Sequence, residues 1–263
     1  MLLVATDLDG TIVRRDQSIS PRTVKAFHAC IEAGVEVVFV TGRPPRWMGP
    51  VVEATGHAGT AVCANGAIVY DLAAERIVRT REVPRDDVLE VVRRLGRALP
   101  GLAVAVETLR GFRREPEYQT RWDTYSAQDV GPLGELLADD PGVVKILFRH
   151  PERTSDEMLA TGRPLLDGLA EATHSNARDH LLEVSAHGVS KASTLAELAA
   201  ERGIAAVDVV AFGDMPNDLE MLAWAGRGYA MADGHPDAIA AADAVAPPCE
   251  EDGVARVLED LLS

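Results

Sequence analysis

The chain has 263 residues, 47% of them hydrophobic and 25% charged, which supports one large core or two modest ones and lies far from the composition of disordered chains. A formal net charge of -15 argues against a nucleic-acid partner, because phosphate backbones are held by clustered Lys and Arg. With no apolar run of 18 residues and no leader-like start, the expectation is a cytoplasmic protein with no membrane partner, and oligomeric state stays open.

Residues 2 to 6, "LLVAT", form a short apolar run that stops at Asp7, the pattern of a strand buried on both faces. A helix follows over "SPRTVKAFHACIEAG", with Ser20 as N-cap, Pro21 in its first turn and Gly34 as its stop. "VEVVFVTGR" (35 to 43) repeats the scheme, a β-branched run ending in a polar, glycine-bearing turn, and "CANGAIVYD" (63 to 71) carries Asn65-Gly66, a hairpin signal. Strand, helix and strand in this rhythm predict a doubly wound parallel α/β sheet with right-handed crossovers.

From about 83 to 186 the texture changes. Helices are expected at 84 to 99 and about 155 to 171, and strands at 102 to 107, 143 to 149 and 181 to 185. Stretches such as "LAVAVET" alternate more, as suits a sheet with one exposed face. The reading is an α+β domain over 83–186 inserted into a core made of 1–82 and 187–263, with "RGFRREPEYQTRW" (110 to 122) as a polar, Arg-rich loop. The first rhythm then returns: a helix over 190 to 203, a buried strand at 207 to 214 ending in Gly213-Asp214, a helix opened by Pro216, a short strand "RGYAM" and a terminal helix. Cys30, Cys63 and Cys249 are odd in number, scattered and without CxxC spacing, and read as buried thiols in a reducing compartment.

In an open parallel sheet, the groups that follow the strands collect along the carboxyl edge, where ligands bind. Asp7 and Asp9 follow the first strand, Thr41, Gly42 and Arg43 the second, and Asp214, Asn217 and Asp218 the last, while Lys191 at a helix start can reach the same edge. Two carboxylates this close repel by roughly 4 kcal/mol at 4 Å and an effective dielectric near 20, so something has to offset that repulsion.

"DLDGT" (7 to 11), "TGR" (41 to 43), Lys191 and "GDMPND" (213 to 218) resemble, in order, the four motifs of the haloacid dehalogenase superfamily of phosphotransferases. "ANGA" (64 to 67), "GVSKA" (188 to 192) and the insertion between the second and third motifs are similar to its Cof-type subgroup, with Ala192 standing where that subgroup usually has Gly. The resemblance covers the whole chain. It implies a Mg²⁺-dependent phosphatase of a small phosphorylated metabolite, a sugar phosphate or similar, with Asp7 as nucleophile and Asp9 as general acid and base. It further implies phosphate held by Leu8, Thr41, Gly42, Lys191 and Asn217, and metal held by Asp7, Asp214, the Asp9 carbonyl and Asp218, the last directly or through water. Arg43 faces the substrate or clamps a neighbouring loop. Substrate choice falls to the inserted cap, where Arg113, Arg114, Glu115 and Tyr118 are candidates weighed against a plain solvated surface; His187 is unassigned. The alternatives are a phosphomutase, a specialised sugar-phosphate phosphatase, a phospho-accepting signalling protein and a silent metabolite-binding protein.

Overall fold

The computed structural model describes residues 1–120, 129–177 and 179–263. Its first elements are β1 (Leu3–Thr6), α1 (Pro21–Glu32), β2 (Glu36–Val40), α2 (Gly49–Thr55), β3 (Thr60–Cys63), β4 (Ile68–Asp71) and β5 (Arg76–Thr80). Next come α3 (Arg85–Ala98), β6 (Ala103–Thr108), β7 (Gly111–Arg114), α4 (Leu133–Leu136), β8 (Val143–Arg149), α5 (Ser155–Leu166), β9 (Ala170–Thr173) and β10 (Leu181–Ala186). The chain closes with α6 (Lys191–Glu201), β11 (Val209–Gly213), α7 (Leu219–Trp224), β12 (Arg227–Met231), α8 (Pro236–Ala241), β13 (Ala244–Ala246) and α9 (Gly253–Leu262). Two compact units result, one of Met1–Arg79 with Ser190–Ser263, the other of Thr80–Val189. Among the described residues, no helix is long and apolar enough to cross a membrane.

In the first unit the sheet runs β13-β12-β11-β1-β2-β3-β4-β5, parallel from β13 to β3 and antiparallel between β3 and β4. The antiparallel pair is the hairpin that Asn65-Gly66 announces. Both faces are covered, which makes this a doubly wound α/β sheet. Leu3, Ala5, Val38 and Val40 join Leu195 and Leu198 of α6 and Met221 of α7 in one cluster, whereas Phe39 points the other way and meets Phe27 of α1 edge-on at 5.9 Å. Each such side chain, buried in full, contributes about 1.5–3 kcal/mol. The helix ends follow their sequence signals: the Ser20 hydroxyl accepts from the Thr23 N–H, and Gly34 takes φ +77° beyond α1.

Chain direction across the sheet reverses at β1, which lies between β11 and β2; from β1 the order runs out one way to β2 and β3, and from β11 the other way to β12 and β13. The carboxyl end of β1 is therefore the crevice of the sheet. One detail differs from the sequence reading: Pro216–Asp218 is a 3-10 turn, with α7 beginning only at Leu219. The Asp218 carboxylate accepts the N–H groups of Asp214 and Met215, and this turn lets it do so.

The second unit is a sheet of order β7-β6-β8-β10-β9, with antiparallel neighbours. The expectation of one exposed face is not met, for every residue of β6 and of β10 is buried. Alternation is present, but the polar face is withdrawn from water: Lys145 and Glu183 form an ion pair of 2.5 Å with side chains 6% and 3% exposed, and Glu107 is buried too. The helix expected to 171 stops at Leu166, with Gly168 at φ +70°, and β9 pairs onto the edge. Nor is 110 to 122 wholly a loop, because Gly111–Arg114 is the strand β7; residues 121 and 122 lie outside the described residues. An edge strand of four residues rich in Arg is formed by pairing with β6, which no local propensity announces.

In the first unit the turn after β3 lies against the start of α6. A Cβ on Gly66, whose φ is +105°, would sit 2.2 Å from the Ser190 carbonyl oxygen, and the Thr194 hydroxyl donates to the Gly66 carbonyl at 2.8 Å. Gly66→Ala is therefore expected to destabilise the protein by of order 1–3 kcal/mol, measured by urea unfolding; an unchanged midpoint would contradict this close packing.

Candidate active site

The backbone after β1 is folded around one carbonyl. Leu8, itself buried, accepts the N–H groups of Thr11, Ile12 and Val13 at 3.2, 2.9 and 2.7 Å, which turns the chain sharply and leaves Asp7 at the strand end. Gly10 completes the turn at φ +82°, and a Cβ there would lie 2.4 Å from an Asp214 carboxylate oxygen. Only glycine lets the two loops approach this closely.

Asp7, Asp214 and Asp218 are all buried, and each offers a carboxylate oxygen within 4.8 Å of the others. Lys191, the first residue of α6, donates from Nζ to Asp7 Oδ1 at 2.6 Å and to Asp218 Oδ1 at 2.7 Å. The Thr11 hydroxyl donates to Asp214 Oδ1 at 3.2 Å. Three carboxylates thus face one ammonium. Burial and the carboxylates of Asp218 and Asp9 push the Asp7 carboxyl up to about 7 although Lys191 opposes the shift, and burial with Asp7 and Asp218 nearby raises Asp214 well above the usual carboxylate range. For Lys191, burial works against the charged form, but Asp218 and Asp7 outweigh it and hold its pKa above the ordinary lysine value.

Beside this cluster stands Thr41, buried at the end of β2, whose hydroxyl accepts the Arg43 N–H at 3.1 Å and whose carbonyl accepts the Asn65 N–H at 3.0 Å. Gly42 lies against Asn65: a Cβ there would come within 3.0 Å of Asn65 Oδ1. Asn217 Nδ2 donates to that same oxygen at 3.1 Å, so one of its amide protons is already engaged. Asn65 Nδ2 and Asn217 Oδ1 are buried without a hydrogen-bond partner among the described residues, as polar atoms are where a bound ligand satisfies them.

Asp7, Asp214, Asp218 and Lys191 therefore meet in one cluster, and Thr41, Gly42 and Asn217 meet around Asn65. Asp9 stands apart from the carboxylate cluster: its side chain is half exposed and forms a two-pronged ion pair with Arg43, at 2.7 and 2.5 Å. Two members were not singled out from sequence. Thr11 and Asn65 both lie inside the quoted motif stretches, but a Thr after Asp-Gly and an Asn before Gly read first as turn residues. Of the cap candidates, Arg113 pairs with Asp139 at 2.6 Å, the Arg114 guanidinium donates to the Tyr118 carbonyl at 3.2 Å, and Tyr118 is buried against Phe112. These groups build the second unit's own structure rather than a solvated loop.

The donor set suits a hard divalent cation. Carboxylate oxygens crowded at this density around a single ammonium are the ligands such a cation takes, and the raised carboxyls of Asp7 and Asp214 express the charge that it would neutralise.

Comparison with known proteins gives the same direction. The profile of the haloacid dehalogenase-like hydrolase family matches residues 4–258. A 5-amino-6-(5-phospho-D-ribitylamino)uracil phosphatase of Bacillus subtilis, YitU, is 29% identical over 268 residues, spanning 99% of this chain and 97% of its own. An HMP-PP phosphatase of Yersinia pseudotuberculosis is 30% identical over 279 residues, spanning 99% and 95%. Among solved structures, a haloacid dehalogenase-like hydrolase from B. subtilis superposes with a TM-score of 0.84 at 24% identity over 99% of this chain and 100% of its own. A sugar phosphatase of subclass IIB superposes with a TM-score of 0.81 at 20% identity over 99% of both. Matched over nearly its whole length, the chain belongs to the haloacid dehalogenase-like hydrolase family.

Proposed function

We propose that this chain is a phosphoric monoester hydrolase that releases orthophosphate from a small phosphorylated metabolite through a phosphoryl group carried on Asp7, with Mg²⁺ as cofactor. The observation that carries this reading is the cluster of three buried carboxylates answered by one lysine at the crevice of the sheet. The relatives named as phosphatases of a ribitylamino-uracil phosphate, of HMP-PP and of pyridoxal phosphate support a small phosphorylated metabolite as the substrate class.

The Asp7 carboxylate attacks phosphorus, the bond to the ester oxygen breaks, and that oxygen takes a proton from Asp9 as it leaves. Water then attacks the same phosphorus, gives its proton to Asp9 and frees Asp7 with orthophosphate. Division into two displacements lets one carboxylate act twice at the same place. Phosphate oxygens are held by the Thr41 hydroxyl, by the Leu8 and Gly42 amides, by the Asn217 amide and by Lys191, whose ammonium has three donors and spends two on Asp7 and Asp218. Asp7, Asp214, Asp218 and the Asp9 carbonyl would hold Mg²⁺, which supplies charge neutralisation for the phosphoryl group when bound. Selection of the organic part of the substrate is assigned to the inserted unit, and the cytoplasm is the compartment consistent with three buried free thiols.

Release of phosphate from p-nitrophenyl phosphate tests the reading. Turnover should be lost in EDTA and restored by Mg²⁺, and Asp7→Asn should lower it roughly a thousandfold or more. Phosphate release that survives both treatments would overturn it. Asp9→Asn should reduce kcat by about 10²–10⁴-fold with little change in inhibition by orthophosphate, as expected for loss of general acid-base catalysis.

A pH dependence follows from Asp7. Its carboxyl, raised on folding from 3.8 to about 7, keeps a proton that the unfolded chain has already released across that interval, so stability falls as pH rises through it. In EDTA the melting temperature should therefore drop between about pH 5 and about pH 8, and Mg²⁺ should restore most of the loss at the upper pH, where the carboxylates are ionised. Differential scanning fluorimetry reads both curves, and an equal fall with and without Mg²⁺ would contradict metal binding at this cluster.

A further inference from the structure

Asp9 is the one acid of the DLDGT stretch that does not join the buried cluster, and the structure shows what holds it elsewhere. Arg43 Nε donates to Asp9 Oδ2 at 2.7 Å and Arg43 Nη2 to Asp9 Oδ1 at 2.5 Å, the parallel fork that only a guanidinium makes with a carboxylate. The same Nη2 also donates to Gln17 Oε1 at 3.2 Å. Gln17 closes a second tight turn, Arg14 to Gln17, and takes φ +68°, a left-handed conformation uncommon for a residue with a side chain. That turn is tied down in its own right: the Gln17 N–H donates to the Arg14 carbonyl at 2.9 Å, and the Arg14 guanidinium pairs with Asp252 at 2.6 Å.

Arg43 is also held at its backbone. The Arg43 N–H donates to the Thr41 hydroxyl, and the Arg43 side chain is 13% exposed while that of Asp9 is 52% exposed. A partly buried arginine with a defined backbone thus grips an otherwise free carboxylate. The fork uses two of the four lone-pair positions on Asp9 and leaves one on each oxygen for a proton.

We propose that Arg43, backed by Gln17, is the positioning residue of Asp9: it fixes the direction in which that carboxylate faces and acts on the reaction through it, without touching substrate. The inference rests on the phosphatase reading and replaces the choice, left open by the sequence, between a substrate contact and a plain loop clamp. An unpinned Asp9, half in solvent on a short turn, would spread over several rotamers, and a misplacement of about 1 Å at a proton-transferring group can cost of order a hundredfold in rate.

The test is a double-mutant cycle of Arg43→Met and Asp9→Asn, with Arg43→Lys and Gln17→Ala beside it, on p-nitrophenyl phosphate. Arg43→Met should lower kcat by about tenfold or more and leave KM and orthophosphate inhibition within about twofold. Arg43→Lys should not rescue, since an ammonium cannot form the fork, and Gln17→Ala should produce a smaller loss in the same direction. In the Asp9→Asn background the Arg43→Met effect should disappear, because the group it acts through is gone. A full-sized effect in that background, or a rise in KM that matches the fall in kcat, would overturn the proposal in favour of a substrate contact. Failure of the phosphatase reading shows itself separately, as wild-type protein without EDTA-sensitive phosphate release. A crystal structure of the Arg43→Met protein decides the positioning claim without turnover: displacement of the Asp9 carboxylate supports it, and an unmoved carboxylate overturns it.

Discussion

A lysine ammonium enclosed between two buried carboxylates is the interaction on which the rest of the site depends. Lys191 has no exposed side-chain surface and bonds both Asp7, 184 residues away in sequence, and Asp218, 27 residues away. Burial of any one of these charges alone costs several kcal/mol, so each is tolerated only because the others are held in place. The first strand, the start of α6 and the turn after β11 are thereby obliged to converge. The charges do not balance, however: Asp214 is the third carboxylate, and its raised pKa records a site built with negative charge to spare. Such a surplus is stable only with a proton or a cation.

The backbone solves the geometric side of the same problem. Leu8 gathers three N–H groups on one carbonyl, Gly10 and Gly213 leave no Cβ to separate the loops, and Asp218 binds both Lys191 and the amides of its own turn. Each device brings a polar group close to its neighbour without extra chain. Asn65 does likewise from β3, joining the Thr41 carbonyl to Asn217 and so linking the second motif to the last. The result is a closely packed floor in which Asp9 is the exposed acid, and Arg43 supplies for it the constraint that burial supplies for Asp7, Asp214 and Asp218.

The inserted unit meets its own polar burden differently. Its sheet carries Lys145 and Glu183 as a tight pair on a face where alternation alone would place solvent-facing groups, and Arg113 and Arg114 spend their guanidinium donors on Asp139 and on local carbonyls. Lys145, Glu183, Arg113 and Asp139 are thus paired within the unit, in contrast to the surplus at the carboxyl edge of the first sheet.

The sequence by itself determined the order of buried strands and capped helices in the first unit, because "LLVAT", the Ser20-Pro21 start and the Gly34 stop act through local conformational preference. It also placed Asp7, Thr41, Asp214 and Asp218 at one edge, since in a parallel sheet every strand delivers its following residues to the same side, with Lys191 within reach of that edge from a helix start. It did not announce β7 or β9, which are edge strands held by pairing with β6 and β10, nor the burial of both faces of the second sheet. Only the tertiary structure decided that Asp9 pairs with Arg43 and not with the carboxylate cluster, and that Thr11 bonds Asp214 and Asn65 bonds Asn217. The physical reason is that periodicity fixes which way a backbone runs, while the partner of a side chain is chosen by three-dimensional proximity between segments that may stand two hundred residues apart, as Thr11 and Asp214 do at a separation of 203.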